Sequence, residues 1–180
     1  MKRFVLFGNS GSGKSTLARA LAERLGRPHL DLDTVAWGEP TTVDGANVPT
    51  RRALEDSAAA IDAVLDGHDA WVVEGCYADL LELVLPRATE VVFLDPGIAA
   101  CQENCRRRPF EPHKYATPAE QDANLPMLLA WVAQYEEHDD EFSAVAHRRL
   151  FDGFGRRKWR LASNAEAAAF VSERDAEPPA

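Results

Sequence analysis

The alternation of apolar and polar segments predicts strands that are connected through helices. Residues 3–7 form a short apolar run that ends at a glycine, as is typical of a strand buried on both faces. Apolar residues then recur at helical spacing from Leu17 to Leu25, and Gly26 stands where a helix commonly ends. The amino-terminal part is therefore predicted to form a strand, a glycine-rich loop and a helix.

The same alternation continues along the rest of the chain. Further strands are predicted at residues 29–33, 70–75, 90–96 and 158–161. Helices are predicted at 50–67, with Thr50 as the N-cap, at 77–85, from residue 96 onward, beyond residue 124 and at 164–173. Asp95 is predicted to cap the helix that follows it, because Asp followed by Pro favours a first helical turn. Residues 38–49, rich in Gly and Pro, predict a loop. Alternating strands and helices indicate an α/β protein with a parallel sheet covered on both faces.

This segmentation indicates one domain. With 180 residues, of which 46% are hydrophobic, the chain is long enough for a core of ordinary size. We expect a single domain over residues 1–174 and a flexible tail over residues 175–180. Gly8 interrupts the first apolar run and no later run is long enough to cross a membrane, so neither a span nor a secretory signal is expected. A cytoplasmic location is the corresponding expectation.

One glycine-rich segment matches a phosphate-binding loop in full, between the first predicted strand and the first predicted helix. It follows the pattern G-x-x-x-x-G-K-S/T, and the residues predicted to bind the nucleotide are Gly8, Asn9, Ser10, Gly11, Ser12, Gly13, Lys14, Ser15 and Thr16. Glycines let the backbone amides fold around a phosphate, and the helix start adds partial positive charge. Lys14 is expected to reach the β- and γ-phosphates during catalysis, and the Ser15 hydroxyl to ligate Mg²⁺. ATP and Mg²⁺ are therefore the predicted cofactors.

Three carboxylates stand at the ends of predicted strands, where parallel sheets collect their ligands. Asp31 and Asp33 are two residues apart, which in a strand places both on one face, so that one reaches the metal and the other the substrate. A solvated strand end or an Asx turn is the alternative. Glu74 ends a strand expected to lie beside the first one and is a candidate for the metal site, with a loop cap or an ion pair as the alternative.

A dense basic patch follows the fourth predicted strand. It contains Arg106, Arg107 and Arg108, with Lys114 nearby, and residues 107–123 carry three prolines among charges. These features predict a lid, in which Arg106 binds the nucleotide and Arg108 neutralises charge that develops during catalysis. The alternative is a solvated helix end whose arginines favour the helix dipole.

Five segments between Phe4 and Arg108 together resemble a known family. They are FVLFGNSGSGKSTLARALAERLG, HLDLDTVAW, WVVEGCY, EVVFLDP and CQENCRRR. In this order they resemble the small P-loop kinases related to adenylate and shikimate kinases, and among these the kinases named DNA topology modulation proteins. The resemblance implies a P-loop NTPase fold with three α/β/α layers, a five-stranded parallel sheet in the order 2-3-1-4-5, and a helical lid. It also implies transfer of the γ-phosphate of ATP.

The resemblance further implies roles for the paired aspartates. Shikimate kinases carry Asp-x-Asp at the end of the second strand, which implies that Asp31 belongs to the magnesium environment and that Asp33 binds the acceptor as a catalytic residue. Related groups often have Asp before Gly at the third strand, where this chain has Glu74. The adenylate-kinase signature D-G-F-P-R and the shikimate-kinase glycine triplet are both missing, so neither substrate carries over.

The predicted function is an ATP-dependent phosphotransferase that moves the γ-phosphate of Mg-ATP to a small-molecule or nucleotide acceptor. The alternative is a nucleotide-binding regulatory ATPase that acts on a protein or DNA partner, suggested by the helical segment beyond residue 124. A net charge of −9 disfavours long nucleic acids as partners. The acceptor and the oligomeric state stay open. Trp37 either walls the acceptor pocket or packs at the edge of the core.

Overall fold

A parallel sheet forms the centre of the computed structural model, which describes residues 1–43, 46–112 and 114–173. In chain order the strands are β1 (Arg3–Gly8), β2 (His29–Asp31), β3 (Thr41–Val43), β4 (Ala46–Val48), β5 (Trp71–Gly75), β6 (Glu90–Leu94) and β7 (Arg157–Leu161). The pair β3 and β4 forms a separate antiparallel hairpin, and the other five strands form the parallel sheet in the order β2-β5-β1-β6-β7. Counted within that sheet the order is 2-3-1-4-5, so the predicted fold class is confirmed.

Helices cover both faces of this sheet. They are α1 (Lys14–Leu25), α2 (Asp33–Ala36), α3 (Leu54–Leu65), α4 (Ala78–Val84), α5 (Ile98–Arg106), α6 (Pro118–Ala133), α7 (Ala144–Gly153) and α8 (Asn164–Ser172), with a 3-10 turn at Leu85–Arg87. Among the described residues, no helix has both the length and the apolar content needed to cross a membrane.

Successive side chains of the central strand β1 point to opposite faces of the sheet, and each face packs into its own hydrophobic core. Phe4 and Leu6 of β1 pack with α1 and α8 on one face, whereas Val5 and Phe7 pack with α3, α4 and α7 on the other. All four side chains are fully buried. Because helices cover both faces of the sheet, every residue of the strand from Phe4 to Phe7 is apolar. The glycine-rich loop follows directly at the carboxyl end of the strand.

Two predicted helix starts are wrong. Thr50 does not cap α3, which begins at Leu54; its hydroxyl instead bonds to the hydroxyl of Thr41, 2.7 Å away, at the start of the hairpin. Asp95 does not cap α5, which begins at Ile98. The Asp95 carboxylate accepts a hydrogen bond from Nε of Arg160 at 3.1 Å, so it joins the ends of β6 and β7. Asp95 is thus taken up by a partner 65 residues away, whereas Thr50 is taken up by the hairpin nine residues before it.

The loop predicted at residues 38–49 is also partly wrong, because it contains the hairpin β3–β4. Its glycines and prolines favoured a loop, but the β-branched residues Thr41, Thr42 and Val43 favour an extended strand. The tail predicted at residues 175–180 lies outside the described residues.

We expect the substitution Leu81→Ala to lower the free energy of unfolding by about 2–5 kcal/mol, because it leaves a cavity in the core between the sheet and α4. The matched control is Leu54→Ala, which removes the same atoms from a side chain that is 46% exposed. Its loss is expected to stay below about 1 kcal/mol. Urea denaturation followed by circular dichroism measures both values, and equal losses would contradict the assignment of Leu81 to the core.

Candidate active site

The glycine-rich loop has a shape that only glycine supports at two positions. Gly11 and Gly13 have φ angles of 76° and 92°, a region that residues with a Cβ atom rarely adopt. A Cβ atom at Gly11 would lie 2.3 Å from the carbonyl oxygen of Cys101 in α5. The Asn104 side chain of the same helix donates to the carbonyl of Gly11 at 2.8 Å. The loop is therefore packed tightly against α5.

A second contact holds the loop from the side of α6. The amide of Asn9, itself buried, donates to the backbone carbonyl of Val132 at 3.1 Å. This buried hydrogen bond joins the phosphate loop to the helix that follows the predicted lid. The sequence marked Asn9 only as a loop residue and contained no signal for this partner.

Lys14 lies at the start of α1 among acidic groups. Burial alone would lower the pKa of Lys14, but the acidic groups of Cys76, Glu74 and Asp33 outweigh it and raise the pKa above its ordinary value. Its Nζ atom lies 3.5 Å from the carbonyl oxygen of Asn9. Lys14 is therefore protonated, and its positive charge lies beside the backbone of the phosphate loop.

Glu74 ends β5 beside the phosphate loop and is almost completely buried. Burial raises the pKa of Glu74 to about 7, although Lys14 and a hydrogen bond from the Ser15 hydroxyl act in the opposite direction. Its Oε1 atom is buried without a hydrogen-bond partner among the described residues, and Nε2 of His29 stands 4.0 Å away. A buried carboxylate oxygen with spare acceptor capacity next to a serine hydroxyl is a donor set that suits Mg²⁺.

The paired aspartates are arranged differently from the prediction. β2 ends at Asp31, and Asp33 begins the short helix α2, so the two residues do not share the face of a strand. The Asp31 carboxylate accepts the backbone N–H of Asp33 at 2.9 Å, which makes an Asx turn. This local hydrogen bond ends the strand early. Both aspartates still line the same cleft.

Two side chains bond to Asp33, and a third supports one of them. The Tyr77 hydroxyl donates to its Oδ1 atom, and Nζ of Lys114 lies 2.6 Å from its Oδ2 atom. Burial alone would raise the pKa of Asp33, but Lys114 and the hydrogen bond from Tyr77 bring it below its ordinary value. Nε1 of Trp37 in turn donates to the Tyr77 hydroxyl at 2.9 Å. Asp33 is therefore ionised and held in one orientation.

Arg106 is the last residue of α5, and Arg107 and Arg108 follow it; Arg108 lines both the large cleft and a small pocket beside Arg106. Arg107 and Arg108 line the large cleft, and Arg108 donates to Glu111 at 3.1 Å. Arg106 borders the small pocket and lies 3.6 Å from Glu103. The structure thus brings Arg108 toward the loop, whereas the predicted contact of Arg106 with the nucleotide stays a prediction.

One cleft of about 1060 Å³ collects most of the predicted site. The predicted residues that line it are Ser10, Gly11, Gly13, Lys14, Ser15, Thr16, Asp31, Asp33, Glu74 and Arg108. Gly8, Asn9 and Ser12 lie behind them in the loop and are buried. The sequence did not single out Tyr77 or Asn104, because neither belongs to a motif of its own. The chain has the three-layer fold of P-loop kinases, and the cleft lies at the carboxyl end of its parallel sheet.

Two known proteins are similar to part of this chain in sequence. No family profile matches the chain. A shikimate kinase of Saccharopolyspora erythraea is 37% identical over 110 residues, covering 57% of this chain and 60% of that protein. The uncharacterised protein YqaC of Bacillus subtilis is 30% identical over 110 residues, covering 61% of this chain and 58% of its own length. The chain therefore spans about three-fifths of the curated relatives that it matches.

Solved structures share the fold over almost the whole chain. A shikimate kinase from Bacteroides thetaiotaomicron superposes with a TM-score of 0.54 at 18% identity, covering 95% of this chain and 94% of that one. A gluconokinase from Sinorhizobium meliloti 1021 superposes with a TM-score of 0.50 at 22% identity, covering 95% and 91%. The fold is thus that of shikimate kinases and gluconokinases.

We expect Glu74→Gln to change how stability depends on pH. Below pH 4.5, the ordinary pKa of glutamate, the carboxyl is protonated in both states of the wild-type chain. Between pH 4.5 and about 7 the unfolded chain ionises while the folded chain keeps its proton, so the wild-type chain loses stability relative to the variant. Above that range the difference stays constant, on the order of 1–3 kcal/mol.

Urea denaturation of both chains across this pH range measures the difference. The exposed substitution Glu82→Gln serves as the matched control, since it removes the same charge from the surface of α4. A pH trend for Glu74→Gln with the opposite sign, or no trend, would show that Lys14 keeps Glu74 ionised throughout.

Proposed function

We propose that this chain is an ATP-dependent phosphotransferase that moves the γ-phosphate of Mg-ATP to the hydroxyl group of a small molecule bound at Asp33. The observation that carries this proposal is the shared cleft, in which the phosphate loop and an ionised, oriented carboxylate face one space. A nucleotide-binding loop alone would serve an ATPase equally well. The carboxylate held by Tyr77 and Lys114 is the additional part that an acceptor hydroxyl requires.

The chemistry assigned to these residues is an in-line displacement. The acceptor oxygen forms a bond to the γ-phosphorus, the bond between that phosphorus and the β–γ bridging oxygen breaks, and ADP leaves. The hydroxyl proton passes to the Asp33 carboxylate. Because phosphoryl transfer has a loose transition state, orientation of the hydroxyl contributes more than the strength of the base. This order of importance suits Asp33, whose pKa is depressed.

The phosphate loop, Lys14 and Arg108 stabilise the negative charge of the phosphates. Backbone amides between Gly11 and Lys14 would hold the phosphates, and the ammonium of Lys14 would neutralise charge on the γ-phosphate. Ser15, Asp31 and Glu74 would hold Mg²⁺, which supplies electrostatic stabilisation of the transferred group. Arg108 lines the cleft and is paired with Glu111 at 3.1 Å, so it would exchange that carboxylate for the phosphates and would then be unavailable to the acceptor.

Assignment of this chain to a particular subgroup of P-loop kinases rests on the sequence alone. The resemblance to the kinases named DNA topology modulation proteins suggests that subgroup, and a regulatory ATPase with a protein or DNA partner is the second candidate. The net charge of −9 works against binding to a polyanion. Shikimate and gluconate are acceptors to test, because shikimate kinases and a gluconokinase share the fold.

Two substitutions are expected to separate nucleotide binding from acceptor turnover. Lys14→Ala weakens Mg-ATP binding by more than about tenfold, because it removes the cation at the phosphates. Asp33→Asn leaves Mg-ATP binding within about threefold but lowers acceptor-dependent ADP release by about 100-fold, because the hydroxyl loses its proton acceptor. Calorimetry and a coupled assay over hydroxy acids, sugars, nucleosides and nucleotides measure the two effects. Hydrolysis stimulated by a partner, without a phosphorylated product, would favour the regulatory ATPase.

A further pair of substitutions tests the lid. Arg108→Ala is expected to lower kcat about 10- to 1000-fold while KM for Mg-ATP changes less, because the guanidinium acts on charge that develops during transfer. Arg149→Ala, an exposed arginine of α7 paired with Glu82, is the matched control and should keep kcat within about twofold. Steady-state kinetics with saturating acceptor give both values. Equal kcat for the two variants would remove Arg108 from the catalytic residues.

A further inference from the structure

An aromatic surface begins beside Asp33 and continues along the cleft. Trp37, Tyr77, Phe142 and Trp131 all line this space. The ring centroids of Trp37 and Tyr77 lie 6.3 Å apart, those of Tyr77 and Phe142 5.2 Å apart, and those of Phe142 and Trp131 5.5 Å apart. Each pair meets edge to face, which is a favourable arrangement for aromatic rings. The four rings, here called the aromatic wall, therefore form one connected surface.

The aromatic wall is fixed from behind by Arg51. Its guanidinium lies 4.8 Å from the centroid of the Tyr77 ring and 5.7 Å from that of Trp37. The same guanidinium bonds to Asp79 at 2.8 Å and to Glu141 at 2.9 Å. The charge of Arg51 is thus balanced by two carboxylates. A ligand that meets this wall encounters rigid rings rather than an available arginine.

The cations on the lid side of the acceptor space are also paired. Lys114 lies 2.6 Å from Asp33 and 3.8 Å from Glu111, and Arg108 lies 3.1 Å from Glu111. An acceptor with its own carboxylate would have to break these ion pairs and would lie beside the negative charges of Asp33 and Glu111. The electrostatics therefore favour a neutral acceptor.

The cleft leaves space for such a molecule next to the nucleotide. Its volume of about 1060 Å³ exceeds the usual upper range of pockets for a single drug-sized ligand. Trp37 remains 38% exposed although its indole N–H is bonded to Tyr77, so part of its ring is free to contact a ligand. A flat ring on this surface can be attached to a hydroxyl group that reaches Asp33.

We infer that the acceptor is a neutral alcohol that also contains a planar unsaturated ring, joined to the carbon that bears the hydroxyl directly or through a sugar, as in a hydroxymethyl heterocycle or a nucleoside. The hydroxyl lies at Asp33 and the ring packs against the aromatic wall at Trp37, which is 38% exposed, whereas Tyr77 supports Trp37 from a buried position. This inference rests on the proposed function, because Asp33 is the group that orients the hydroxyl.

The test compares acceptors that differ in one property at a time. Uridine and 5-(hydroxymethyl)uracil are the planar-ring alcohols, and they separate a nucleoside from a free heterocycle. 5,6-Dihydrouridine has the same sugar as uridine but a non-planar base, glucose is neutral without an aromatic ring, and shikimate and gluconate are anionic.

We expect kcat/KM for at least one planar alcohol to exceed that of each other compound by about tenfold or more, because stacking needs a flat face. Preference for glucose, dihydrouridine, shikimate or gluconate would overturn the inference while leaving a phosphotransferase in place.

Binding to the wild-type chain is measured separately from turnover. With Mg-ADP saturating the nucleotide site, uridine and 5-(hydroxymethyl)uracil are titrated by calorimetry against dihydrouridine. Tighter binding of a planar alcohol supports the inference, and equal or undetectable binding of the planar alcohols overturns it. Failure of Mg-ADP itself to bind would instead overturn the proposed function.

Two substitutions at one position test the role of the ring. Trp37→Leu removes the aromatic face and is expected to raise KM for the planar acceptor about tenfold. Trp37→Phe loses the hydrogen bond to Tyr77 but keeps a ring, so most of the acceptor affinity should be retained. Mg-ADP affinity within about twofold of the wild-type value confirms folding of both variants. An equal rise in KM for the two variants would show that the hydrogen bond, and not the ring, matters, and would contradict stacking.

Discussion

The positive charge of Lys14 is the interaction on which the rest of the site depends. Glu74 and Asp33 both lie close enough to raise its pKa, and Glu74 is almost completely buried. A buried carboxylate distant from any cation takes up a proton rather than staying charged. Lys14 acts against that tendency in Glu74, whose pKa of about 7 reflects the balance between burial and the nearby cation. The ionisation of Glu74 therefore depends on the residue that the phosphate loop positions, whereas that of Asp33 depends first on Lys114.

The position of Lys14 follows from contacts distant in the chain. Asn9 bonds to Val132, 123 residues away, and Gly11 accepts a hydrogen bond from Asn104, 93 residues away. The space between Gly11 and Cys101 does not admit a Cβ atom. The loop motif is local in sequence, but α5 and α6 hold it in place. Because packing against these helices already holds the loop in one conformation, the loop loses little conformational entropy when a phosphate binds.

The sequence predicted what local pattern determines and missed what distant contacts determine. The phosphate loop is marked by a short motif and the parallel strands by short apolar runs, and the structure contains both. The Asx turn at Asp31 is a local feature that the sequence offered as an alternative, whereas the ion pair of Asp95 with Arg160 replaced a predicted helix cap. Tyr77 and Lys114 meet Asp33 from 44 and 81 residues away along the chain, and no pattern in one sequence indicates such a meeting. The part of the cleft around the phosphate loop could therefore be predicted from the sequence, and the part around Asp33 could not.

The two oxygens of Asp33 explain how the acceptor end connects to the lid. Oδ1 accepts from Tyr77 and Oδ2 from Lys114, and an ionised carboxylate retains further lone pairs for an incoming hydroxyl. Lys114 belongs to the segment between α5 and α6, so its ion pair ties that segment to α2. A hydroxyl that displaces Lys114 from Asp33 releases the segment, whereas one that shares Asp33 keeps it in place. Because Lys114 also lowers the pKa of Asp33, displacement would make the carboxylate a stronger base while loosening its cover over the cleft. Sharing preserves both orientation and coverage, and a loose transition state needs orientation more than basicity.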